Sequence, residues 1–235
     1  MQTSLKLLSA ALATTMIVAL AAPLSAQEKT GPNVDQTAQA GAGGPVSQLA
    51  MARSLYAYGV ENEDALSVLA AARIARSVTV EEVKRDVKQA AREGGAAETG
   101  EGVDAPVDAA TMLVTARDLA GDDATLLAMI EDAEVETSKG RIGGASVTLS
   151  RLPAGYNDSW EIPYYGGRFA ELAVFGDGDA NLDVLVTDEY GNTVCVEYSY
   201  SDKVYCSWVP AWDGYFYVTV YNMGSVRNSY YIETN

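Results

Sequence analysis

The stretch Phe175-Gly-Asp-Gly-Asp-Ala-Asn-Leu-Asp-Val-Leu-Val-Thr-Asp188 decides how the fold of this chain is interpreted. It runs from the end of one apolar segment, through three carboxylates and an amide, into residues 182–187. The side chains of residues 182–187 alternate between apolar and polar, which is typical of a half-buried β-strand. We expect β-structure after this stretch and mostly helix before residue 140, and therefore an α+β protein in two parts.

The composition of the chain changes after residue 140. All three Trp, all three Phe and twelve of the fourteen Tyr lie beyond it. Alternating segments bounded by turn residues predict eight short strands, at 145–150, 159–162, 169–175, 182–187, 193–198, 203–209, 215–221 and 230–233. This spacing predicts an antiparallel β-sandwich or jelly roll over residues 143–235.

Residues 45–138 have helical periodicity and predict a small α-helical domain. Apolar residues recur at spacings of three and four over 46–58 and 65–73, which predicts a helical hairpin. Thr79 and Glu82 form a capping-box pattern and predict the start of a third helix that continues to about residue 92. Two more helices are expected over 106–119 and 122–136.

The first residues of the chain have the features of a secretory signal peptide. Lys6 precedes the apolar run 7–22, and small residues follow at a cleavage position near Ala26. We therefore predict a signal peptide over 1–26, a periplasmic or extracellular protein, and no membrane span in the mature chain. Residues 27–44 are small, polar and rich in Gly and Pro, which predicts a flexible linker.

The charge and the lack of histidine restrict the possible functions. The chain has 32 acidic and 16 basic residues, so its surface repels phosphate backbones and anionic lipids. We expect no nucleic-acid partner. The absence of His excludes Ser-His-Asp and Cys-His catalysis and imidazole-bound zinc. Few enzyme mechanisms remain possible without His, and catalysis by paired carboxylates is one of them.

Cys195 and Cys206 are the two cysteines of the chain, and an oxidising compartment favours a disulfide between them. If residues 193–198 and 203–209 form a hairpin, the two cysteines face each other across it. We therefore predict a disulfide-closed hairpin.

Four oxygen-bearing side chains occupy alternate positions of the acidic loop: Asp177, Asp179, Asn181 and Asp183. This spacing resembles that of calcium loops, although Leu182 stands where an EF-hand has Gly. The alternative is a solvated turn, with Asp183 as the outward neighbour of buried strand residues. We predict Ca²⁺ as the one candidate cofactor.

Aromatic residues supply the candidate ligand contacts. Alternation along 215–221 leaves Tyr217 facing outward, and Trp208 and Trp212 lie in the preceding segment. Such rings could stack on sugars or bind a protein surface. The alternative is that they serve cross-strand packing.

The β-part resembles the bacterial pre-peptidase C-terminal domain family. The resemblance rests on Gly176-Asp-Gly-Asp-Ala-Asn-Leu-Asp183-Val-Leu-Val, on Asp188-Glu-Tyr-Gly-Asn, and on Trp208-Val-Pro-Ala-Trp-Asp-Gly-Tyr-Phe-Tyr-Val218 followed by Val220-Tyr-Asn222. It covers roughly residues 143–235. The resemblance implies a non-catalytic β-sandwich of secreted proteins, which in some members binds calcium, polysaccharide or collagen. It implies no protease activity here, because no protease domain is recognisable.

We therefore predict a secreted, non-catalytic accessory protein that binds an extracellular polysaccharide or a protein surface. One alternative is a periplasmic protein whose helical domain binds a partner protein. Another is a glycoside-active enzyme with a carboxylate pair drawn from Asp158, Glu161, Asp177 and Asp183.

Overall fold

A computed structural model of the protein describes residues 29–38, 43–135 and 144–235. The predicted signal peptide, residues 1–26, lies outside these ranges. Within them, every helix is too short or too polar to cross a membrane.

The structure contains four α-helices: α1 Pro45–Glu61, α2 Ala65–Ser77, α3 Ala109–Ala120 and α4 Ala124–Val135. The first two form the predicted hairpin. Aspartate side chains cap the N-termini of the other three helices, with Asp123 at the start of α4. The Asp64 carboxylate accepts hydrogen bonds from the backbone N–H groups of Leu66 and Ser67 at the start of α2. The Asp108 carboxylate accepts one from Thr111 at the start of α3. These caps satisfy N–H groups that have no partner within the helix.

Ten strands form two five-stranded sheets: β1 Val80–Glu82, β2 Val87–Ala91, β3 Ala145–Leu152, β4 Tyr156–Tyr164, β5 Ala170–Gly176, β6 Leu182–Thr187, β7 Thr193–Glu197, β8 Lys203–Trp208, β9 Gly214–Asn222 and β10 Asn228–Thr234. The strand order is β1-β3-β10-β5-β8 in the first sheet and β2-β4-β9-β6-β7 in the second. Only the β1–β3 pair is parallel among the described strands. The predicted α+β class and the sandwich are therefore confirmed.

The central strands of the first sheet, β5 and β10, are buried on both faces. Along β5, Leu172 and Val174 belong to the core between the sheets, whereas Ala173 and Phe175 belong to the core under the helices. The molecule thus has three layers, with helices on the outer face of the first sheet. Because side chains of a strand alternate between faces, one strand can serve both cores.

The predicted third helix over residues 79–92 is wrong. Residues 80–82 and 87–91 form β1 and β2, which lie at the edges of the two sheets. β1 pairs with β3, and β2 pairs with β4. The predicted helical domain, 45–138, is thus interrupted by two strands of the sandwich.

The physical reason lies in β-branched residues and in the free edges of the two sheets. Val80, Val83 and Val87 have stiff side chains that favour strands over helices. Pairing with the free edges of the sandwich gives the backbone groups of β1 and β2 hydrogen-bond partners.

Residues 29–38, part of the segment 27–44 predicted as a flexible linker, have contacts with the sandwich. Asn33 is fully buried, and its N–H donates a hydrogen bond of 2.8 Å to the Asp188 carboxylate. Asp35 N–H donates to the carbonyl of Val209 at 2.8 Å, and Val34 packs against the sandwich core. The composition of residues 29–38 does not reveal such docking, because the segment is held by a few specific contacts such as those of the buried Asn33 amide.

The predicted disulfide between Cys195 and Cys206 is confirmed, with 6.2 Å between the two Cα atoms. The predicted hairpin is wrong. β7 lies in the second sheet and β8 in the first, so the disulfide joins the two sheets at their edges. By the chain-entropy estimate, a loop of this length stabilises the fold by about 3 kcal/mol.

Candidate functional site

The acidic loop between β5 and β6 is fixed by its own carboxylates. Asp177 Oδ2 accepts a hydrogen bond from Ser229 N–H at 2.7 Å, and its Oδ1 accepts one from Asp179 N–H at 3.1 Å. Asp179 Oδ2 accepts a hydrogen bond from Val103 N–H at 2.6 Å. The loop is thereby attached to β10 and to the segment that follows β2.

The two other residues of the predicted calcium set have different partners. Asn181 Oδ1 accepts a hydrogen bond from Ser201 N–H at 2.7 Å. Asn181 Nδ2 donates to Asp183 Oδ1 at 3.1 Å. Asp183 lies within β6, on the side away from the buried residues of that strand. Asn181 and Asp183 therefore bind each other, whereas Asp177 and Asp179 bind backbone N–H groups elsewhere.

This arrangement does not fit a shared calcium cage. Calcium takes roughly six to eight oxygen ligands, but the described residues contain no group of three or more Asp, Glu, Cys or His that could hold a metal ion. Burial raises the pKa of Asp177, and the nearby charges of Asp179 and Asp202 raise it further, against hydrogen bonds that lower it. In this geometry, the carboxylates act as acceptors for backbone N–H groups.

Calcium binding stays a prediction of the sequence that thermal unfolding can test. From the hydrogen bonds above, we expect equal melting temperatures in excess calcium and in excess chelator. A bound ion would raise the melting temperature in calcium by mass action. Such a rise, lost in Asp179→Ala and Asp183→Ala, would contradict our expectation and restore the calcium site.

The predicted ligand contacts Trp208, Trp212 and Tyr217 do not share one surface. Trp208 is only 6% exposed and packs in the sandwich core, with its ring 4.9 Å from Tyr164 and 5.1 Å from Phe216. It therefore has no face for a ligand. Tyr217 is exposed on the outer face of β9. Trp212 is half-buried at one end of the sandwich.

A pocket of about 490 Å³ opens at that end of the sandwich, where the β4–β5, β6–β7 and β8–β9 connections meet. We call it the tyrosine pocket. Its lining consists of aromatic, charged and turn residues: Lys29, Pro163, Tyr164, Tyr165, Glu189, Tyr190, Asp213, Gly214 and Tyr215.

Trp212 and Asn33 hold the wall of the tyrosine pocket in place. The indole N–H of Trp212 donates to Glu189 Oε1 at 2.7 Å, and its ring meets Tyr190 edge-on at 6.4 Å. Asn33 Nδ2 donates to Glu189 Oε2 at 3.2 Å, and Asn33 Oδ1 accepts from Trp212 N–H at 3.0 Å. Trp212 is thus a support for the pocket, and the wall is built from three separate parts of the chain.

Asp188 fixes the turn that carries Glu189 and Tyr190. Burial by itself raises the pKa of Asp188, but several hydrogen bonds outweigh it, so the pKa lies below the usual value. The donors are the side-chain amide of Asn192 and the backbone N–H groups of Asn33, Asn192 and Tyr190. The carboxylate therefore stays ionised and orders the turn.

Among the carboxylates proposed for glycoside chemistry, the outward-facing pair Glu161 and Asp183 lies too far apart. Asp158 is fully buried inside the sandwich, whereas Asp183 and Glu161 lie on the outer face of the second sheet. Glu161 on β4 lies opposite Tyr217 of β9, and Asp183 on β6 lies opposite Tyr221 of β9. The two carboxylates are therefore on either side of β9 and four residues apart along it. That separation is on the order of 16 Å, beyond the roughly 5 to 9.5 Å that such pairs require.

Sequence reasoning missed several members of the tyrosine pocket: Lys29, Glu189, Tyr190 and Asp213. A usable signal was present. In an antiparallel sandwich, alternate connections lie at the same end, so the turns at 188–192 and 210–214 are expected to meet. The contribution of Lys29 could not be expected, because residues 29–38 gave no sign of docking.

Comparisons with known proteins leave the family open. No family model matches the chain, and a search of curated proteins finds no match to its sequence. Among solved structures, the chain is similar to the pre-peptidase C-terminal domain of collagenase from Bacillus anthracis. The identity is 8%, the match covers 68% of this chain and 98% of that chain, and the TM-score is 0.27. A likeness at this TM-score carries no argument about function.

Proposed function

We propose that the protein is a secreted, non-catalytic accessory protein that binds polysaccharide through the tyrosine pocket. The observation that carries this proposal is the exposure of three tyrosine rings around one pocket. Tyr165, Tyr190 and Tyr215 are 66%, 57% and 51% exposed. A protein does not need to expose three large rings together for folding, so their clustering supports a binding role.

The chemistry of the pocket suits a sugar ring. Tyrosine offers an apolar ring face for the C–H groups of a pyranose and a hydroxyl for hydrogen bonding. Glu189 and Asp213 supply carboxylate acceptors for sugar hydroxyls, while Lys29 supplies a donor and lies 4.0 Å from Glu189. A mostly apolar pocket with a few polar groups is typical of small-molecule and sugar sites.

Secretion and the lack of catalysis belong to the same proposal. The apolar run at 7–22 after Lys6 and the Cys195–Cys206 disulfide both support an oxidising compartment outside the cytoplasm. The distance between Glu161 and Asp183 supports a role without glycoside cleavage.

Substitution of Tyr190 tests the proposal. Affinity gel electrophoresis against laminarin, xylan, soluble chitin and galactomannan measures binding to each polysaccharide. We expect retardation by at least one of them, and an affinity about tenfold lower for Tyr190→Ala, because stacking on one ring contributes roughly 1 to 1.5 kcal/mol.

Tyr198→Ala is the matched control, since Tyr198 is equally exposed, at 62%, but does not line the pocket. We expect it to bind as the unchanged protein does. Equal losses in Tyr190→Ala and Tyr198→Ala, or no retardation by any of the four polysaccharides, would refute the proposal.

A further inference from the structure

A second pocket lies between the helices and the outer face of the first sheet, and it has no part in the proposed function. Its volume is about 280 Å³, and we call it the helix–sheet pocket. The lining comes from α1, α2, the start of α3 and strands β1, β3 and β10: Leu49, Arg53, Ala75, Val80, Glu82, Val107, Asp108, Ala109, Ala110, Met112, Val147, Tyr231 and Glu233.

Glu233 brings an incompletely satisfied charge to this pocket. The residue is fully buried on β10, and its Oε1 forms an ion pair of 2.6 Å with Arg53 Nη2. Its second oxygen, Oε2, is buried and has no hydrogen-bond partner among the described residues. A buried carboxylate oxygen without a donor is unfavourable, so it favours a ligand that brings one.

The cation of the pocket, Arg53, is partly engaged. The guanidinium of Arg53 lies over the Phe175 ring at 4.5 Å and over the Tyr231 ring at 5.5 Å, in addition to its ion pair with Glu233. Such stacking partly offsets the free-energy cost of removing a guanidinium from water. Its Nε and Nη1 atoms are also buried without hydrogen-bond partners among the described residues, so an anionic probe belongs in the test.

The overall charge of the lining is negative. Glu82, Asp108 and Glu233 carry three negative charges and Arg53 carries one positive charge, which leaves two negative charges in excess. Burial raises the pKa of Tyr231, and the charges of Asp108, Glu82 and Glu233 add to this effect while Arg53 opposes it. These groups therefore act on the same small volume, where a positive ligand is favoured over a negative one.

We propose that the helix–sheet pocket binds a small organic ammonium ion with an apolar tail. The ammonium donates to Glu233 Oε2, which has no other donor. The tail lies against apolar side chains of the helices and of β3, such as Leu49, Met112 and Val147. This site is separate from the tyrosine pocket and does not depend on polysaccharide binding.

Three probes of the same length separate charge from apolar contact. Isothermal titration calorimetry of the full chain with hexylammonium, 1-hexanol and hexanoate measures the contribution of the charge. We expect hexylammonium to bind about tenfold or more tightly than the other two, because a hydrogen bond to a buried charge outweighs one between neutral groups. Equal binding of 1-hexanol, tighter binding of hexanoate, or no binding of hexylammonium would overturn the proposal.

Substitutions locate the binding to the pocket. Ala110 is exposed at the mouth and makes no capping contact, so Ala110→Phe narrows the entrance while the charges remain. We expect it to weaken hexylammonium binding about tenfold or more. Unchanged binding in Ala110→Phe would show that the probe sits elsewhere and would overturn the proposal.

Two neighbouring carboxylates provide a matched pair. Glu82 lines the pocket, whereas Glu81 on the same strand does not. We expect Glu82→Gln to weaken hexylammonium binding about two- to threefold, because solvent partly screens the charge that this substitution removes. We expect Glu81→Gln to leave the binding unchanged. Equal losses in both variants would indicate general surface attraction and contradict the assigned site.

Discussion

Replacement of Asp158 by alanine is expected to lower the free energy of unfolding by about 4 kcal/mol, measured by chemical denaturation. Asp158 is fully buried between the sheets. Its Oδ2 accepts hydrogen bonds from the hydroxyls of Ser150 at 2.6 Å and Tyr230 at 2.7 Å, and its Oδ1 accepts one from Gln89 Nε2 at 2.9 Å. Alanine would leave the hydroxyls of Ser150 and Tyr230 without their acceptor inside the sandwich, whereas Gln89 is exposed and can bind water.

The loss of stability in Asp158→Ala also involves the core, because Tyr230 belongs to a chain of hydrogen bonds. Its hydroxyl also accepts the indole N–H of Trp160 at 2.8 Å, and both side chains are nearly inaccessible to solvent. Burial and then the Asp158 carboxylate raise the pKa of Tyr230 well above its usual value, so the phenol remains a donor. Loss of the carboxylate removes the acceptor on which this orientation depends.

Glu161→Ala is the matched control, because Glu161 lies on the same strand but is exposed. We expect a change within about 0.5 kcal/mol, as for most surface substitutions. The variant Asp158→Asn keeps two acceptor lone pairs. Its loss in the free energy of unfolding is expected to lie between the losses of Asp158→Ala and Glu161→Ala. A loss below about 1 kcal/mol in Asp158→Ala would show that the buried network is not important for stability.

Replacement of Glu171 by alanine is expected to lower the free energy of unfolding by about 3 kcal/mol. Glu171 is fully buried on β5, and it caps a helix from the sheet. The N-cap position of helix α1 is occupied by Gly44, which has no side chain to cap the helix. Glu171 Oε1 instead accepts the N–H groups of Gly44 at 3.0 Å and Ser47 at 3.1 Å. A carboxylate at a helix N-terminus also interacts favourably with the helix dipole.

A single hydrogen bond to the same oxygen provides the control. The hydroxyl of Tyr205 donates to Glu171 Oε1 at 2.8 Å, and burial followed by this bond raises the pKa of Tyr205 to about 12. Tyr205→Phe removes this hydroxyl, which also interacts with Ser207 and Ser47, but leaves both backbone hydrogen bonds of the cap in place. We expect it to lower the free energy of unfolding by about 1 kcal/mol. The free energy of unfolding of Glu171→Ala and Tyr205→Phe is measured by thermal or chemical denaturation. Similar losses in the two variants would contradict a special role of the cap.

Gly44→Ala is a second way to disturb the same contact. An added Cβ at Gly44 would collide with the Glu171 carboxylate, so the carboxylate would have to move out of its capping position. The close approach of Gly44 to Glu171 is what places α1 against the outer face of the first sheet.

Much of the fold could be predicted from the sequence because periodicity is a local property. Alternation along 182–187 and 215–221 predicted β6 and β9, and spacings of three and four predicted α1 and α2. The composition change after residue 140 separated most of the helices from most of the strands. The disulfide followed from the presence of two cysteines.

The candidate sites were less predictable because their parts come from distant positions. The tyrosine pocket joins Lys29 to the turns at 188–192 and 210–214, and no local pattern connects these segments. Trp208 illustrates the opposite error. An aromatic residue beside a turn could be a ligand contact or a core residue, and only the packing of Tyr164 and Phe216 against it decides for the core.

The sequence by itself determined the α+β class, most of the helices and strands, and the pairing of Cys195 with Cys206, since each depends on neighbours in the chain or on a single pair. The tertiary structure alone decided that residues 80–91 join the sheets, that the disulfide crosses between them, and that Glu171 caps α1. These features depend on edges, faces and free N–H groups that exist only after the layers have assembled, so no periodicity of the sequence encodes them.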